Sequence, residues 1–144
     1  MKTFEVTILG SMAAIPHKGK ITSAQIVRYD NQCILIDCGE ATQINIAKYN
    51  LHGSKISTIC ISHMHGDHVF GLPGLLSSFQ HQQRKNPLII LGPVGIRKFV
   101  EFFTEATAQI FSYPIEIHEY APNDKIHLLD LPGLEIFAFP LEHR

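Results

Sequence analysis

The stretch ISHMHGDHVFGLPGLL, residues 61–76, places three histidines and one aspartate within six consecutive positions. An apolar run at residues 56–61 leads into these side chains and predicts a strand, while the apolar spacing of residues 69–79 predicts a helix. A loop between a strand and a helix is a common place for a functional site. The stretch therefore predicts an α/β unit with its chemistry concentrated between the strand and the helix.

The four ionisable side chains suit a metal site. His63 and His65 alternate along an extended segment, so their imidazoles project to the same side and can reach one ion. Asp67 and His68 come one turn later and can face a second ion, because Gly66 lets the backbone turn sharply. Histidine nitrogen and carboxylate oxygen are ligands that zinc takes in hydrolytic sites. A solvated loop would explain one such histidine, but four potential ligands together favour a metal centre.

Composition describes one soluble domain. Of the 144 residues, 45% are hydrophobic and 17% are charged, which supplies a core without disulfide bonds. The net charge of −1 gives no global attraction for nucleic acid, so binding of a polyanion would need a local patch or metal ions. No apolar run reaches the roughly 18 residues of a membrane span, so no membrane partner is expected. Three cysteines outside any CxxC pair predict buried reduced thiols and a cytoplasmic protein: Cys33, Cys38 and Cys60.

Strand and helix signals occur along the whole chain without a repeat or a linker. Strands are predicted at residues 4–9, 23–29, 33–36, 56–61 and 88–91, helices at 41–49, 69–79 and from 93 onward, and a strand-rich tail from 115. Asp30 and Asn31 form the predicted turn of a hairpin. Five further histidines have no ligand-type neighbours at useful spacing and are expected to be surface or packing residues: His17, His52, His81, His118 and His127. Together these signals predict a layered α/β domain.

The motif SHMHGDH resembles the HxHxDH signature of the metallo-β-lactamase fold. Three longer stretches resemble the ribonuclease Z family of endonucleases, which trim the 3′ side of precursor transfer RNA: ILIDCGEATQ, ISHMHGDHVFGLPGLLSS and LGPVGI. The resemblance implies an αββα metallo-β-lactamase sandwich that holds two zinc ions. This chain would supply the N-terminal portion, with a mixed β-sheet and flanking helices.

The resemblance assigns a role to each site residue. It makes His63 and His65 ligands of one zinc, Asp67 and His68 ligands of the other, and His143, in the text PLEHR, the fifth ligand. The family also needs a bridging aspartate and a final histidine further along. Residues 1–144 are therefore expected to be the N-terminal part of a single metallo-β-lactamase-like domain, truncated after the fifth ligand.

The same resemblance implies the chemistry. Two zinc ions make a nucleophile available from water near neutral pH and clamp the oxygens of an in-line displacement at phosphorus. Asp67 would bind metal and help to accept a proton, which makes it the expected catalytic residue. Asp37, in the text DCGE, would either brace the ligand loop through hydrogen bonds or cap a turn. Lys18 and Lys20 stand where the family usually has an Arg-Asn pair, and they either contact phosphate as point charges or belong to a solvated loop.

Three functions follow as alternatives. The favoured one is a zinc-dependent endoribonuclease that removes the 3′ trailer from precursor transfer RNA. A second is a metal-dependent hydrolase of small phosphodiesters or esters, because the ligands alone do not define the substrate. A third is that the 144-residue chain is an inactive half-domain. The resemblance also implies a homodimer, with the glycines of FGLPGLL in close helix packing.

Overall fold

The computed structural model describes residues 3–121 and 123–142. In that part of the chain the strands are β1 (Phe4–Gly10), β2 (Ala24–Tyr29), β3 (Gln32–Ile36), β4 (Thr58–Cys60), β5 (Leu88–Pro93), β6 (Ile115–Tyr120), β7 (Ile126–Leu131) and β8 (Leu134–Ala138). The helices are α1 (Thr42–Lys48), α2 (Gly66–Val69), α3 (Leu72–His81) and α4 (Ile96–Ala106), with a 3-10 turn at Gly53–Lys55.

The first six strands form one mixed sheet in the order β1-β2-β3-β4-β5-β6. The pairs β1-β2 and β2-β3 are antiparallel, whereas β3, β4, β5 and β6 run parallel. The antiparallel strands β7 and β8 form a separate two-stranded sheet. The prediction of an α/β fold with a mixed sheet and flanking helices is confirmed.

One face of the sheet carries the core. Successive side chains of a strand point to opposite faces, so Leu35, Ile59 and Ile90 lie side by side on neighbouring strands. All three are fully buried in one cluster with Leu76 and Phe79 of α3. Burying an aliphatic side chain contributes about 1.5–3 kcal/mol, so these central strands and α3 are the most strongly held part of the fold.

The opposite face of the sheet is also apolar but more open. Its side chains include Val27, Ile34 and Ile36, and the β7-β8 hairpin lies across from them. A groove of about 1120 Å³ separates the two and reaches His63 at one end.

Two predicted elements have different bounds in the structure. The helix predicted at residues 69–79 is two helices, because the Gly71 N–H donates to the Cys38 carbonyl oxygen and Pro73 occupies the start of α3, where its missing N–H is tolerated. The strand predicted at 56–61 keeps only three residues in its ladder. The hairpin turn is confirmed, with Asp30 in the left-handed region at φ 53°.

None of the helices in residues 3–121 and 123–142 has the length and apolar character needed to span a bilayer.

Candidate metal centre

The four clustered ionisable residues lie at the carboxyl end of the parallel strands. The chain leaves β4 at Cys60 and carries His63 and His65 before α2 begins at Gly66. Asp37 leaves the neighbouring strand β3 at the same edge, because Ile36 pairs with Cys60 in the ladder. Parallel pairing therefore places a carboxylate beside a histidine-rich loop that is distant in sequence.

Asp37 is the anchor of this arrangement. It is 4% exposed, and its carboxylate accepts hydrogen bonds from the Ser62 N–H at 2.8 Å, the Ser23 hydroxyl at 3.0 Å and His68 Nδ1 at 2.7 Å. Its backbone is in the left-handed region at φ 57°, an uncommon conformation that the surrounding contacts must hold. The bond to His68 requires a proton on Nδ1, which leaves Nε2 as the atom that can bind a metal.

The donor atoms converge in front of Asp37. His63, Asp67 and His68 each offer a ligand atom, and these atoms lie within 4.8 Å of one another. His68 Nε2 is 3.5 Å from Asp67 Oδ2, and the ring centroids of His63 and His68 are 3.9 Å apart. The His65 ring lies 4.8 Å from the His63 ring, edge to face. The structure thus brings three of the expected ligands into one cluster and places the fourth beside it.

Asp67 is also held from the opposite side by the loop between β1 and β2. The Ala14 N–H donates to Asp67 Oδ2 at 2.8 Å, across 53 residues of sequence. This backbone hydrogen bond, helped by the neighbouring His68, holds the pKa of the Asp67 carboxyl below its usual range. Asp67 is therefore a carboxylate at neutral pH, the form that binds metal.

Close backbone packing sets the shape of the site. A Cβ on Gly39 would lie 2.4 Å from the Asp67 carbonyl oxygen, and one on Gly71 would lie 2.0 Å from the Gly39 carbonyl oxygen. Both distances are far inside van der Waals contact. The DCGE turn, α2 and the start of α3 can approach so closely only because these positions have no side chain.

Other contacts of the site have weak or no sequence signals. Ser62 Oγ lies 3.1 Å from His63 Nδ1 and 3.3 Å from His68 Nδ1, and Ser62 at least adjoins the motif. The Tyr120 hydroxyl donates to the Ile61 carbonyl oxygen at 2.7 Å, although it comes from β6. Burial raises the pKa of Tyr120 to about 12, so this hydroxyl keeps its proton. Tyr120 and Ala14 reach the site only through the tertiary fold.

The remaining expected residues lie further out. Lys18 and Lys20 are exposed on the loop that carries Ala14, where His17 and Lys20 exchange backbone hydrogen bonds of 3.0 and 2.8 Å. His143 falls outside the described residues, so its role stays a prediction.

His127 is a surface residue, as expected, but it has ligand-type neighbours that its sequence spacing did not indicate. A bulge between His127 and Leu129 changes the alternation of β7, and His127 Nε2 comes within 2.9 Å of Asp130 Oδ1. Glu135 of β8 joins them, and the three ligand atoms lie within 4.8 Å of one another. This cluster is solvent-exposed and is held by hydrogen bonding within the hairpin.

Comparison with known families gives a match over most of the chain. The model described as Anti-Pycsar protein Apyc1 matches residues 4–99.

Comparison with curated proteins gives relatives along nearly the whole chain. A ribonuclease Z of Methanococcus maripaludis is 38% identical over 139 residues, covering 96% of this chain and 45% of the relative. Zinc phosphodiesterase ELAC protein 1 of Bos taurus is 40% identical over 124 residues, covering 83% of this chain and 34% of the relative. The chain spans less than half the length of these relatives.

Solved structures also include proteins similar to this chain. Human tRNase Z, short form (ELAC1), matches with a TM-score of 0.75 and 41% identity, covering 83% of this chain and 45% of that one. The metallo-β-lactamase fold protein YhfI of Bacillus subtilis matches with a TM-score of 0.67 and 19% identity, covering 93% and 55%. The second likeness shows the fold alone.

Proposed function

The chain belongs to the family that the Anti-Pycsar protein Apyc1 model describes and is related to ribonuclease Z, and from this premise we propose that the protein is a zinc-dependent endoribonuclease. Its substrate would be precursor transfer RNA, from which it removes the 3′ trailer. One observation carries the proposal: a cluster of His63, Asp67 and His68, braced by Asp37, lies in a chain closely related to ribonuclease Z.

The donor set supports zinc as the metal. Two imidazoles and a carboxylate whose ligand atoms lie within 4.8 Å of one another are the ligand types of hydrolytic zinc sites. Asp37 fixes one nitrogen of His68 and thereby orients the other toward the cluster, as partners of metal-bound histidines do. His63, His65, Asp67 and His68 would hold two ions together with His143 and residues supplied from elsewhere. Bound zinc supplies a nucleophile from water near neutral pH and neutralises charge on a phosphoryl group.

The residues of this chain would divide the remaining tasks. Asp67 binds metal as a carboxylate and is placed to accept a proton, while the Ala14 N–H keeps one of its oxygens in position. Lys18 and Lys20 extend from the same loop and would contact phosphates of the RNA as point charges. The buried thiols Cys33 and Cys38 are free, which supports a reducing, cytoplasmic setting. A homodimer is part of the same proposal.

A second candidate is a hydrolase of small phosphodiesters on the same scaffold. The relative named zinc phosphodiesterase supports it, because the same donor cluster would serve either substrate. The two candidates share the metal centre and differ in the size of the substrate.

The test uses the protein at its full natural length with a 3′-extended precursor transfer RNA. We expect cleavage at a single position near the end of the mature acceptor stem, together with bound zinc measured by elemental analysis. His65→Ala and Asp67→Ala should abolish cleavage, because each removes a proposed ligand. His118→Ala, at an exposed histidine away from the cluster, is the matched control and should cleave normally. Hydrolysis of small phosphodiesters with the precursor left intact would favour the second candidate.

Oligomeric mass and metal content settle the state of the 144-residue chain. We expect about two zinc ions per chain if another copy of the chain completes the site. A chain without zinc and without turnover would instead be an inactive half-domain.

A further inference from the structure

Phe70 is a large apolar side chain beside the metal centre. It ends α2, two positions after His68, and it is 64% exposed to solvent. The core of the fold buries its phenylalanines far more fully, as Phe79 on α3 shows at 2%. Phe70 therefore leaves much of an aromatic ring open to solvent, close in the chain to the proposed ligands Asp67 and His68.

The position of the Phe70 ring is fixed by a contact within α2. A Cβ on Gly66 would lie 2.3 Å from Phe70 Cε2 and 2.6 Å from Cζ, so the ring rests directly on the Gly66 backbone. Gly66 lies between His65 and Asp67, two of the proposed ligands. The ring is thus held at the rim of the centre while most of the side chain stays open to solvent.

A second exposed apolar residue lies on the other side of Asp67. Ile15 is 69% exposed and directly follows Ala14, whose N–H donates to the Asp67 carboxylate. Asp67 therefore has an exposed apolar group near it on both the loop side and the α2 side. Exposed apolar groups at Phe70 and Ile15, on either side of the proposed metal ligands, suit a ligand that carries flat apolar surface as well as phosphate.

We propose that Phe70 is a stacking platform for an unpaired base of the RNA, at a nucleotide next to the phosphodiester that is cut. The proposal rests on the endoribonuclease function and specifies how that site holds its substrate. Single-stranded RNA is commonly recognised by stacking of bases on aromatic side chains, which works for any base because every base has a flat face.

The experiment compares Phe70→Ala, Phe70→Trp and Phe70→Leu in the full-length protein. Phe102→Ala is the matched control, because Phe102 is 69% exposed but lies on α4. For each variant, KM and kcat are measured with the precursor transfer RNA and with the same precursor made abasic at the two nucleotides that flank the cut, which leaves no base to stack there. Zinc content and thermal unfolding are measured alongside.

We expect Phe70→Ala to raise KM for the precursor by about 5-fold to 150-fold, the range for loss of one base–aromatic stack. Its zinc content and its KM for the abasic precursor should match the wild type. Phe70→Trp should keep KM within about threefold, because indole also stacks. Phe70→Leu should resemble Phe70→Ala, and Phe102→Ala should resemble the wild type.

Three results would overturn the proposal. An unchanged KM for the precursor in Phe70→Ala would show that no base stacks there. A Phe70→Leu variant as good as Phe70→Trp would show that only apolar bulk is needed. Parallel losses on both substrates, with loss of zinc or of thermal stability, would assign Phe70 a structural role. If the wild type leaves the precursor intact, the endoribonuclease function fails first, and the stacking proposal falls with it.

Discussion

Asp37 and Arg84 are buried charged side chains at opposite ends of the same parallel strands, at 4% and 7% exposure. Asp37 lies where β3 ends, and Arg84 lies just before β5 begins. Arg84 donates to three backbone carbonyl oxygens, those of Asn86 at 2.8 Å, Ser54 at 3.3 Å and Pro87 at 2.8 Å. Its guanidinium also lies over the rings of Phe79 and Tyr113.

The difference is in what each charge holds. Arg84 joins backbone segments to one another, so its hydrogen bonds stabilise the fold and position no ligand-binding group. Asp37 holds a histidine whose other ring nitrogen faces a carboxylate, so its hydrogen bonds position groups that can bind a ligand. A buried charged side chain with several hydrogen-bond partners thus occurs at both ends of this sheet, the structural end and the functional end. Convergence of further donor atoms is what distinguishes the functional end.

The largest expected effect tests the close packing at the functional end. Gly71→Ala places a methyl group 2.0 Å from the Gly39 carbonyl oxygen, and both sides of the contact are backbone. We expect the unfolding free energy to fall by more than about 4 kcal/mol, because the backbone has no room to relax. Zinc binding should be lost as well. Urea denaturation measures the stability. Gly74→Ala is the control, since its methyl would meet only the flexible Gln43 side chain, and it should stay within about 1 kcal/mol of the wild type.

Arg84→Met tests the structural end. Removing three hydrogen bonds and leaving buried carbonyls without donors should cost about 3 kcal/mol of unfolding free energy. Zinc affinity should not change. Arg28→Met, which breaks the exposed pair with Glu5, should leave the unfolding free energy nearly unchanged, because exposed ion pairs contribute little. A loss of zinc affinity in Arg84→Met would break the distinction between the two ends.

Asp37→Asn tests the bracing of His68. Both carboxylate oxygens accept hydrogen bonds, so an amide must turn its NH2 toward at least one donor. Asparagine tolerates the left-handed backbone, which keeps the turn intact. Zinc affinity, measured by chelator competition, should fall by about 10-fold to 100-fold. The matched control is Asp130→Asn, which alters an exposed Asp–His contact and should leave zinc affinity unchanged.

The smallest effect concerns alkaline pH. Burial raises the pKa of the Cys38 and Cys60 thiols to about 12, so the folded protein retains protons that the unfolded chain releases above its ordinary thiol pKa near 9. This contribution to stability is complete below pH 9 and is lost as pH rises toward 12. At pH 10 each thiol should account for about 1 kcal/mol. Unfolding free energies at pH 7.5 and 10 measure this loss of stability. The loss should be smaller in Cys38→Ala than in the wild type. A loss equal to that of the wild type would contradict the assignment to the Cys38 thiol.

Local pattern predicted much of the fold and of the site. The apolar strands, the turn at Asp30 and the α/β class follow from side-chain spacing, which acts over a few residues. The ligand loop was predicted because His63, His65, Asp67 and His68 are close in sequence. The roles assigned to Asp67, His143, Lys18 and Lys20 stay predictions.

What sequence pattern did not predict depends on tertiary contact. The break before α3 follows from the approach of Gly71 to Gly39, which no helical periodicity encodes. The Ala14 and Tyr120 hydrogen bonds come from distant elements and use groups that every backbone or tyrosine carries. The His127 cluster needs a bulge, which shifts alternation by one residue.

The Ala14 hydrogen bond also bears on the order in which the site assembles. Asp37 reaches Ser62 and His68 across 25 and 31 residues, within the stretch that pairs β3 with β4, whereas Ala14 reaches Asp67 across 53. Contacts that close longer loops cost more chain entropy and form later. We expect the Asp37 brace to form before the Ala14 loop closes. The lysine-bearing loop would then also open before the Asp37 brace in the folded protein, detectable as faster amide exchange at Ala14 than at Ser62.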